Sequence, residues 1–305
     1  MASKAIEIIT RVKDLVGITS SITSEDTNIL RRMNDVQWWL FHAQANWRGL
    51  QSYQDLTATH AVAYVTVPSD VAGVFSIRSE EESGNKLTYI SPMKFNALMP
   101  DAAAFSEGEP LYYTWWGGRF WFYPIPDDTY TFKMWYYKKP VNLKLYSAGT
   151  SQHTVLAVTG TSTYFSTNAN VDTNMFYAYQ GDVRSDGTYP WSTITAVTAA
   201  TTMTIAAYAG GSGGSTVAYY ASSEMTFPTE FDLLIQQKAA LLTAGRNRED
   251  EKFFQMLQGE VQQALVGLVR SQTYVPDHTP ILEDFSPSGI VSVGETWNQP
   301  FVRSN

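Results

Sequence analysis

The feature that most limits the folds open to this chain is Gly108-Glu-Pro-Leu-Tyr-Tyr-Thr-Trp-Trp-Gly-Gly-Arg-Phe-Trp-Phe-Tyr-Pro124. Two aromatic segments, 111–116 and 119–123, flank Gly117-Gly118, and a glycine pair suits the primed two-residue turns whose twist matches paired strands. The run predicts a β-hairpin with rings on both faces. A lone hairpin is at best marginally stable in water, so each face needs a cover: more strands, helices or another subunit. Pro124-Ile-Pro-Asp-Asp128 predicts the next turn and 130–137 a further strand.

The periodicity on either side says what the cover is made of. Alternation over 61–67 and 74–77, around a Pro68-Ser-Asp70 turn, predicts two strands, and 87–90 predicts another after a polar loop at 80–86. Together these strands are expected to form an antiparallel sheet. Before them, Ala5, Ile8, Ile9, Val12, Leu15 and Val16 recur every three or four residues, and Gly17 supplies a helix stop. A second helix is expected after Thr23/Ser24, with Thr23 and Asp26 at capping-box spacing. Its stripe is Leu30, Met33, Val36, Leu40, Ala43 and Trp47, and Gly49 is expected to close it. Phe227-Pro-Thr-Glu-Phe231 opens a third helix carrying Leu234, Ile235, Ala239, Leu241 and Leu242. A polar break at 245–251 precedes a fourth, with Phe253, Phe254, Leu257, Val261, Ala264, Leu265 and Leu268 in register.

Residues 146–226 differ in kind. They hold five charges, Asp172, Asp182, Arg184, Asp186 and Glu224, among Thr, Ser, Ala, Gly and Tyr. Strand-like runs at 154–158, 175–179, 193–197, 203–205 and 217–220 are separated by turn residues, the pattern of a small barrel or sandwich. The final 35 residues, with Pro276, Pro280, Pro287 and Pro300, predict an extended arm that is either disordered or laid on a partner, since alone it cannot offset its ordering entropy. The fold class expected is α+β. Two N-terminal and two C-terminal helices form a bundle beside an antiparallel sheet over 1–145 and 227–270. An inserted small all-β barrel or sandwich domain occupies 146–226, and an arm occupies 271–305.

The search for chemistry is negative. The chain has no cysteine, which removes disulfides, Cys-based zinc, iron–sulfur clusters and thiol nucleophiles. His42, His60, His153 and His278 are scattered without a His-x-x-x-His pair, and no Gly-x-Ser-x-Gly elbow occurs. Glu80-Glu81-Glu82 reads as a solvated run and Asp127-Asp128 as turn chemistry. Gly210-Gly-Ser-Gly-Gly214 lacks the Lys-Ser/Thr of a phosphate loop. No catalytic, cofactor or metal site is expected, and the chain reads as not an enzyme. No apolar run reaches the roughly 18 residues of a membrane span, and the N-terminus lacks a signal-peptide core, so assembly in the cytoplasm is expected.

What remains is surface. Charged residues are 16% of the chain and aromatics 14%, against roughly 25% charged in typical domains. Tyr and Trp are enriched at the cores of interfaces. The expected subunit-contact residues are Trp115, Trp116, Phe120 and Trp121. The expected binding positions of the arm are Tyr274, Val275, Pro276, Ile281, Leu282, Phe285, Trp297 and Phe301. The aromatic hairpin also allows a stacking platform for sugars or single-stranded bases, and with the Ser/Thr-rich 146–226 module it makes a carbohydrate-binding tail or receptor-recognition protein the alternative.

The order of the pieces resembles the head–tail connector (adaptor) proteins of tailed bacteriophages. The resemblance is carried by Ile6-Glu-Ile-Ile-Thr-Arg-Val-Lys-Asp-Leu-Val-Gly17, Trp38-Trp39, Asn46-Trp47, Val67-Pro-Ser-Asp-Val71 and Gly108-Glu-Pro-Leu-Tyr-Tyr113. It continues through Phe120-Trp-Phe-Tyr-Pro-Ile-Pro-Asp127, Tyr136-Tyr-Lys-Lys-Pro140 and Phe227-Pro-Thr-Glu-Phe231. Many such adaptors run almost directly from the Lys-Pro strand to the returning helix, whereas this chain places 146–226 between them. The resemblance implies a virion protein in a ring of identical subunits, probably twelve, below the portal protein. It also implies a tail, nozzle or tail-completion protein as partner and a channel that DNA crosses in packaging and ejection. The net charge of −8 fits that implication, because an acidic wall repels the duplex.

Overall fold

The computed structural model describes residues 3–19, 23–43, 47–80, 85–99, 107–154, 156–180, 182–185, 188–208, 218–244 and 251–273. The arm positions Tyr274 to Phe301, the 210–214 loop, Glu81, Glu82 and His278 lie outside them. The class is α+β, with five helices and three sheets among the described residues.

Four helices form the bundle: α1 (Ala5–Val16), α2 (Thr23–Ala43), α4 (Asp232–Ala244) and α5 (Glu251–Thr273). The expected stripe of α1 is its buried face, with Ala5, Ile8, Ile9, Val12 and Val16 buried. Gly17 ends it in the left-handed region at φ 72°, where the Ile18 amide reaches the Lys13 carbonyl at 2.9 Å. α4 is the central helix and packs against α1, α2 and α5; Leu234, Ile235, Ala239, Ala240, Leu241 and Ala244 are buried. Two local expectations are corrected. α2 includes Thr23 and ends at Ala43, so Thr23 lies within the helix and Gly49 is not its stop. Gly49 instead sits in a 3-10 turn where an added Cβ would lie 2.5 Å from Pro228 Cγ, and only glycine allows that approach. Trp47 is fully buried beside it, donating its ring N–H to the Leu40 carbonyl at 2.7 Å and meeting Phe231 edge-on at 5.1 Å. α5 runs through Thr273, so the first three residues of the expected arm are helical.

The predicted single sheet is two sheets. In chain order the strands are β1 (Gln51–Ala58), β2 (Tyr64–Thr66), β3 (Val71–Ser79), β4 (Thr88–Tyr89), β5 (Tyr112–Trp116), β6 (Arg119–Tyr123) and β7 (Tyr130–Lys138). One sheet runs β1-β7-β3 and the other β2-β6-β5-β4, with β4 parallel to β5 and every other pair antiparallel. They share one core, built from Leu56, Ile77, Phe120, Phe122, Phe132 and Met134, all buried. Phe122 of one sheet stacks on Phe132 of the other at 5.3 Å. The hairpin's inner cover is therefore the β1-β7-β3 sheet, not the helices. Gly117 and Gly118 both take positive φ, 60° and 72°, as a primed turn requires. A short helix, α3 (Pro92–Leu98), was not anticipated; Ser91 caps it, accepting from the Lys94 amide, with Pro92 at its first turn.

Seven more strands follow: β8 (Leu145–Tyr146), β9 (Thr150–His153), β10 (Ala157–Thr161), β11 (Met175–Tyr179), β12 (Ser192–Val197), β13 (Thr202–Ile205) and β14 (Tyr219–Ser223). They form one antiparallel sheet in the order β8-β14-β11-β12-β13-β10-β9, its end strands unpaired with each other among the described residues. Phe165, Met175, Tyr177, Ile194, Met203 and Tyr219 are buried in a separate cluster against it. The strand expected at 154–158 is broken, because Thr154 turns the chain and its amide reaches the Ala157 carbonyl at 2.8 Å.

The start of α1 ties this sheet to the bundle. Lys4 is 3% exposed, pairs with Glu224 at 2.6 Å, and sets its ammonium 3.5 Å from the centre of the Phe176 ring. Ser3 donates its hydroxyl to Asp232, and Trp191 donates its ring N–H to Glu7 at 2.8 Å. Burial raises the Asp232 carboxyl above the ordinary range, with the Ser3 hydrogen bond opposing it.

Candidate assembly interface

Alternation along β5 and β6 sorts the hairpin's rings. Phe120 and Phe122 point into the shared core, while Trp121 and Tyr123 point outward toward α3. Of the four aromatics singled out as subunit contacts, Phe120 is 0% exposed and packs on Tyr113 and Trp115 within the chain. It serves the chain's own core. Trp115 and Trp121 are half-buried, and Trp116, 58% exposed, is the one that presents a broad face.

Around Trp116 the outer face is built by α3 and the hairpin together. A hollow of about 180 Å³ is lined by Pro92, Phe95, Met99, Thr114, Trp116 and Trp121. Within it the buried Thr114 hydroxyl has no hydrogen-bond partner. Trp121 donates its ring N–H to the Trp116 backbone carbonyl at 3.3 Å, which orients the Trp121 indole, and Arg119 lies over Tyr64 at 4.1 Å. Tyr112, on the same face of β5 as Trp116, continues the apolar surface and meets Tyr123 of β6.

A second aromatic surface lies on the outside of the β1-β7-β3 sheet. Phe75 rests against Tyr137 at 5.5 Å, and Tyr53 stands exposed on β1 with Lys133 near its ring. The rim is polar, with Lys133 bridging to Glu80 at 2.5 Å; on the core side of β7 the buried Tyr136 donates to Asp70 at 2.8 Å. Burial, then the Asp70 hydrogen bond, pushes the Tyr136 hydroxyl up to about 12, so it remains a donor at neutral pH. An aromatic patch with a charged, hydrogen-bonded rim has the anatomy of a protein interface. Sequence reasoning missed Tyr53 and Phe75. Phe75 lay inside a strand that was read correctly, and its place between Val74 and Ser76, where the register with β7 shifts, turns it outward.

Among the described residues, no three His, Asp or Glu gather as a metal site would need, and no helix is long and apolar enough to cross a membrane. The scattered histidines stay apart: His60 contacts the Asp127 carbonyl at 2.7 Å, while His153 sits among Tyr177, Tyr179 and Tyr208 in the seven-stranded sheet's core.

No curated protein matches the chain. A family match does exist. It spans residues 3–159, from the start of α1 through both facing sheets and into β10, and leaves α4 and α5 beyond it. With just over half of its length matched to the SU10 adaptor protein family, the chain belongs to that family of bacteriophage structural adaptors.

Proposed function

We propose that this adaptor forms a closed ring of identical subunits, twelve in number, between the portal protein and a tail or nozzle component, around a channel for DNA. The observation that carries the reading is the exposed aromatic surface on both facing sheets, around Trp116 on one and Tyr53 and Phe75 on the other. In a closed heterologous ring every subunit buries two different faces, and two separate aromatic faces meet that requirement. An acidic chain lines a channel without gripping phosphates.

In this reading residues 146–226 are an inserted domain, and the seven-stranded sheet with its separate core is what supports that division. The 274–305 arm supplies a strap to portal or neighbour through Tyr274, Val275, Pro276, Ile281, Leu282, Phe285, Trp297 and Phe301. The protein acts without catalysis and is assembled in the host cytoplasm before entering the virion neck.

Native mass spectrometry and negative-stain imaging, with and without portal protein, test the ring. A twelve-fold ring that stacks on portal is expected. A trimer with sugar affinity supports the carbohydrate-binding alternative and ends this one.

A further inference from the structure

The two facing sheets are joined at one place on their open side and then part. The Leu87 amide donates to the Ile77 carbonyl and the Ser79 amide to the Asn85 carbonyl, both at 2.9 Å, around a bridge between Arg78 and Lys86. Past that point β3 and β4, the edge strands of their sheets, separate around a groove of about 680 Å³. Residues 73–76 form one wall, 86–89 the other, and Tyr113 and Trp115 line it between them.

Three features of the walls are those of a place where another backbone lies. Gly73 lies where the register of β3 with β7 shifts, and nothing stands within 4 Å of where its Cβ would be, so this wall is open; a strand glycine marks a bulge or a place another backbone can approach. The Ser76 hydroxyl is buried on the groove wall without a hydrogen-bond partner. Backbone groups alternate in direction along a strand. Since the Leu87 amide points to β3 and the Thr88 and Ile90 amides bond the β5 side, the Tyr89 amide and carbonyl face the groove.

The occupant is identified by what lies beyond α5. Residues 274–305 include Gly289-Ile-Val-Ser-Val-Gly294, three β-branched apolar residues and a serine between glycines, with no charge. Such a run suits strand addition at an open sheet edge. Seventeen residue steps lead from Thr273 to Ile290, a reach of at most about 60 Å, enough to leave one subunit for the next. The segment carries four acids, Asp277, Glu283, Asp284 and Glu295, against Arg303, while the groove wall offers Lys86.

We propose that the groove between β3 and β4 receives residues 289–294 of a neighbouring copy as an added strand, linking each subunit to the next around the ring. The inference rests on the ring reading, since it needs a neighbour. The chain has no native cysteine, so pairs can be placed cleanly: Phe75→Cys with Val291→Cys, and Tyr89→Cys with Val291→Cys, each in the full chain. The ring itself is scored separately, by native mass of the cysteine-free parent.

On mild oxidation a ladder of covalent oligomers is expected, and mixing the single-cysteine chains should give covalent dimers only. Val291→Pro removes one backbone donor and is expected to lower cross-linking from a Gly289→Cys reporter by about tenfold. A ring without these cross-links, or one indifferent to Val291→Pro, overturns the groove and leaves the ring standing. A link formed only within single chains overturns the neighbour as occupant. A monomeric parent with no link overturns both readings.

Discussion

Lys4 is the sharpest test of how the bundle holds the seven-stranded sheet. Its ammonium is buried, lies 2.6 Å from a Glu224 oxygen and 3.5 Å from the Phe176 ring centre, while the Glu224 side chain is 35% exposed. At an effective dielectric near 20 the gross attraction at that distance is about 6 kcal/mol, but burying the ammonium costs several kcal/mol of it back. The balance makes the two ends of the pair unequal. Lys4→Met keeps the buried stem and leaves Glu224 to water, so it should cost about 1–2 kcal/mol. Glu224→Gln leaves a buried cation without its counter-charge and should cost more, about 3 kcal/mol. The double variant should recover much of that loss, since no uncompensated charge remains. Urea unfolding of the four proteins reads these differences directly. Because the pair is largely shielded from solvent, the order should persist from low to moderate salt. If Glu224→Gln proves milder than Lys4→Met, or the two losses simply add, the buried-pair reasoning is refuted.

Further outcomes follow from the same structure. Gly49→Ala drives a Cβ to within 2.5 Å of Pro228 Cγ and should cost about 1–3 kcal/mol by denaturant titration. Trp47→Ala empties a fully buried site and strands the Leu40 carbonyl, an expected loss of about 3–5 kcal/mol in the same assay. Asp232 has a raised folded-state pKa, so its contribution to stability is fully present below the unfolded value of 3.8 and is lost as pH rises through the folded value. The stability of Asp232→Asn relative to the parent should therefore improve between pH 4 and pH 7; a flat difference would contradict the burial argument. Ending the chain at Thr273 should leave far-UV circular dichroism and cooperative melting intact, because all four buried clusters lie before it, and should abolish joining to portal.

Local rules made much of the fold legible before the structure. Gly17 and the Gly117-Gly118 pair each sit at the positive φ their turns demand, and such positions declare themselves in sequence. The helix α5 followed from spacing, and α4 from spacing together with its proline-led opening, though Thr229–Phe231 forms a 3-10 turn and α4 begins at Asp232. β1 did not: only Leu56 and Ala58 of its eight residues are buried, so its polar exposed positions hid the alternation. α3 is two turns long, and its signal was the Ser91-Pro92 pair rather than any periodic stripe. In the hairpin every position is aromatic or near it, so the sequence could not say which face was inside; Phe120 turned in and Trp116 out by register with the opposite sheet. The link from Lys4 to Glu224 spans 220 residues, and no local pattern encodes such a partner.

The exposed aromatic area also sets how firmly such a ring can hold. Tyr53, Phe75, Tyr89, Tyr112 and Trp116 stand between one third and two thirds exposed. At roughly 200 Å² per ring that is about 500 Å² of surface open to burial. At about 25 cal/mol per Å², covering all of it yields at most about 12 kcal/mol for each subunit added. Association costs about 4–15 kcal/mol in lost freedom before side chains are ordered. Aromatic burial alone therefore leaves ring closure near balance, and a few kcal/mol from elsewhere decides it. A backbone strand from a neighbour, or contact with portal, supplies an amount of that order. Assembly should accordingly depend steeply on protein concentration when the arm is removed and weakly when portal is present, a dependence native mass spectrometry measures on both chains.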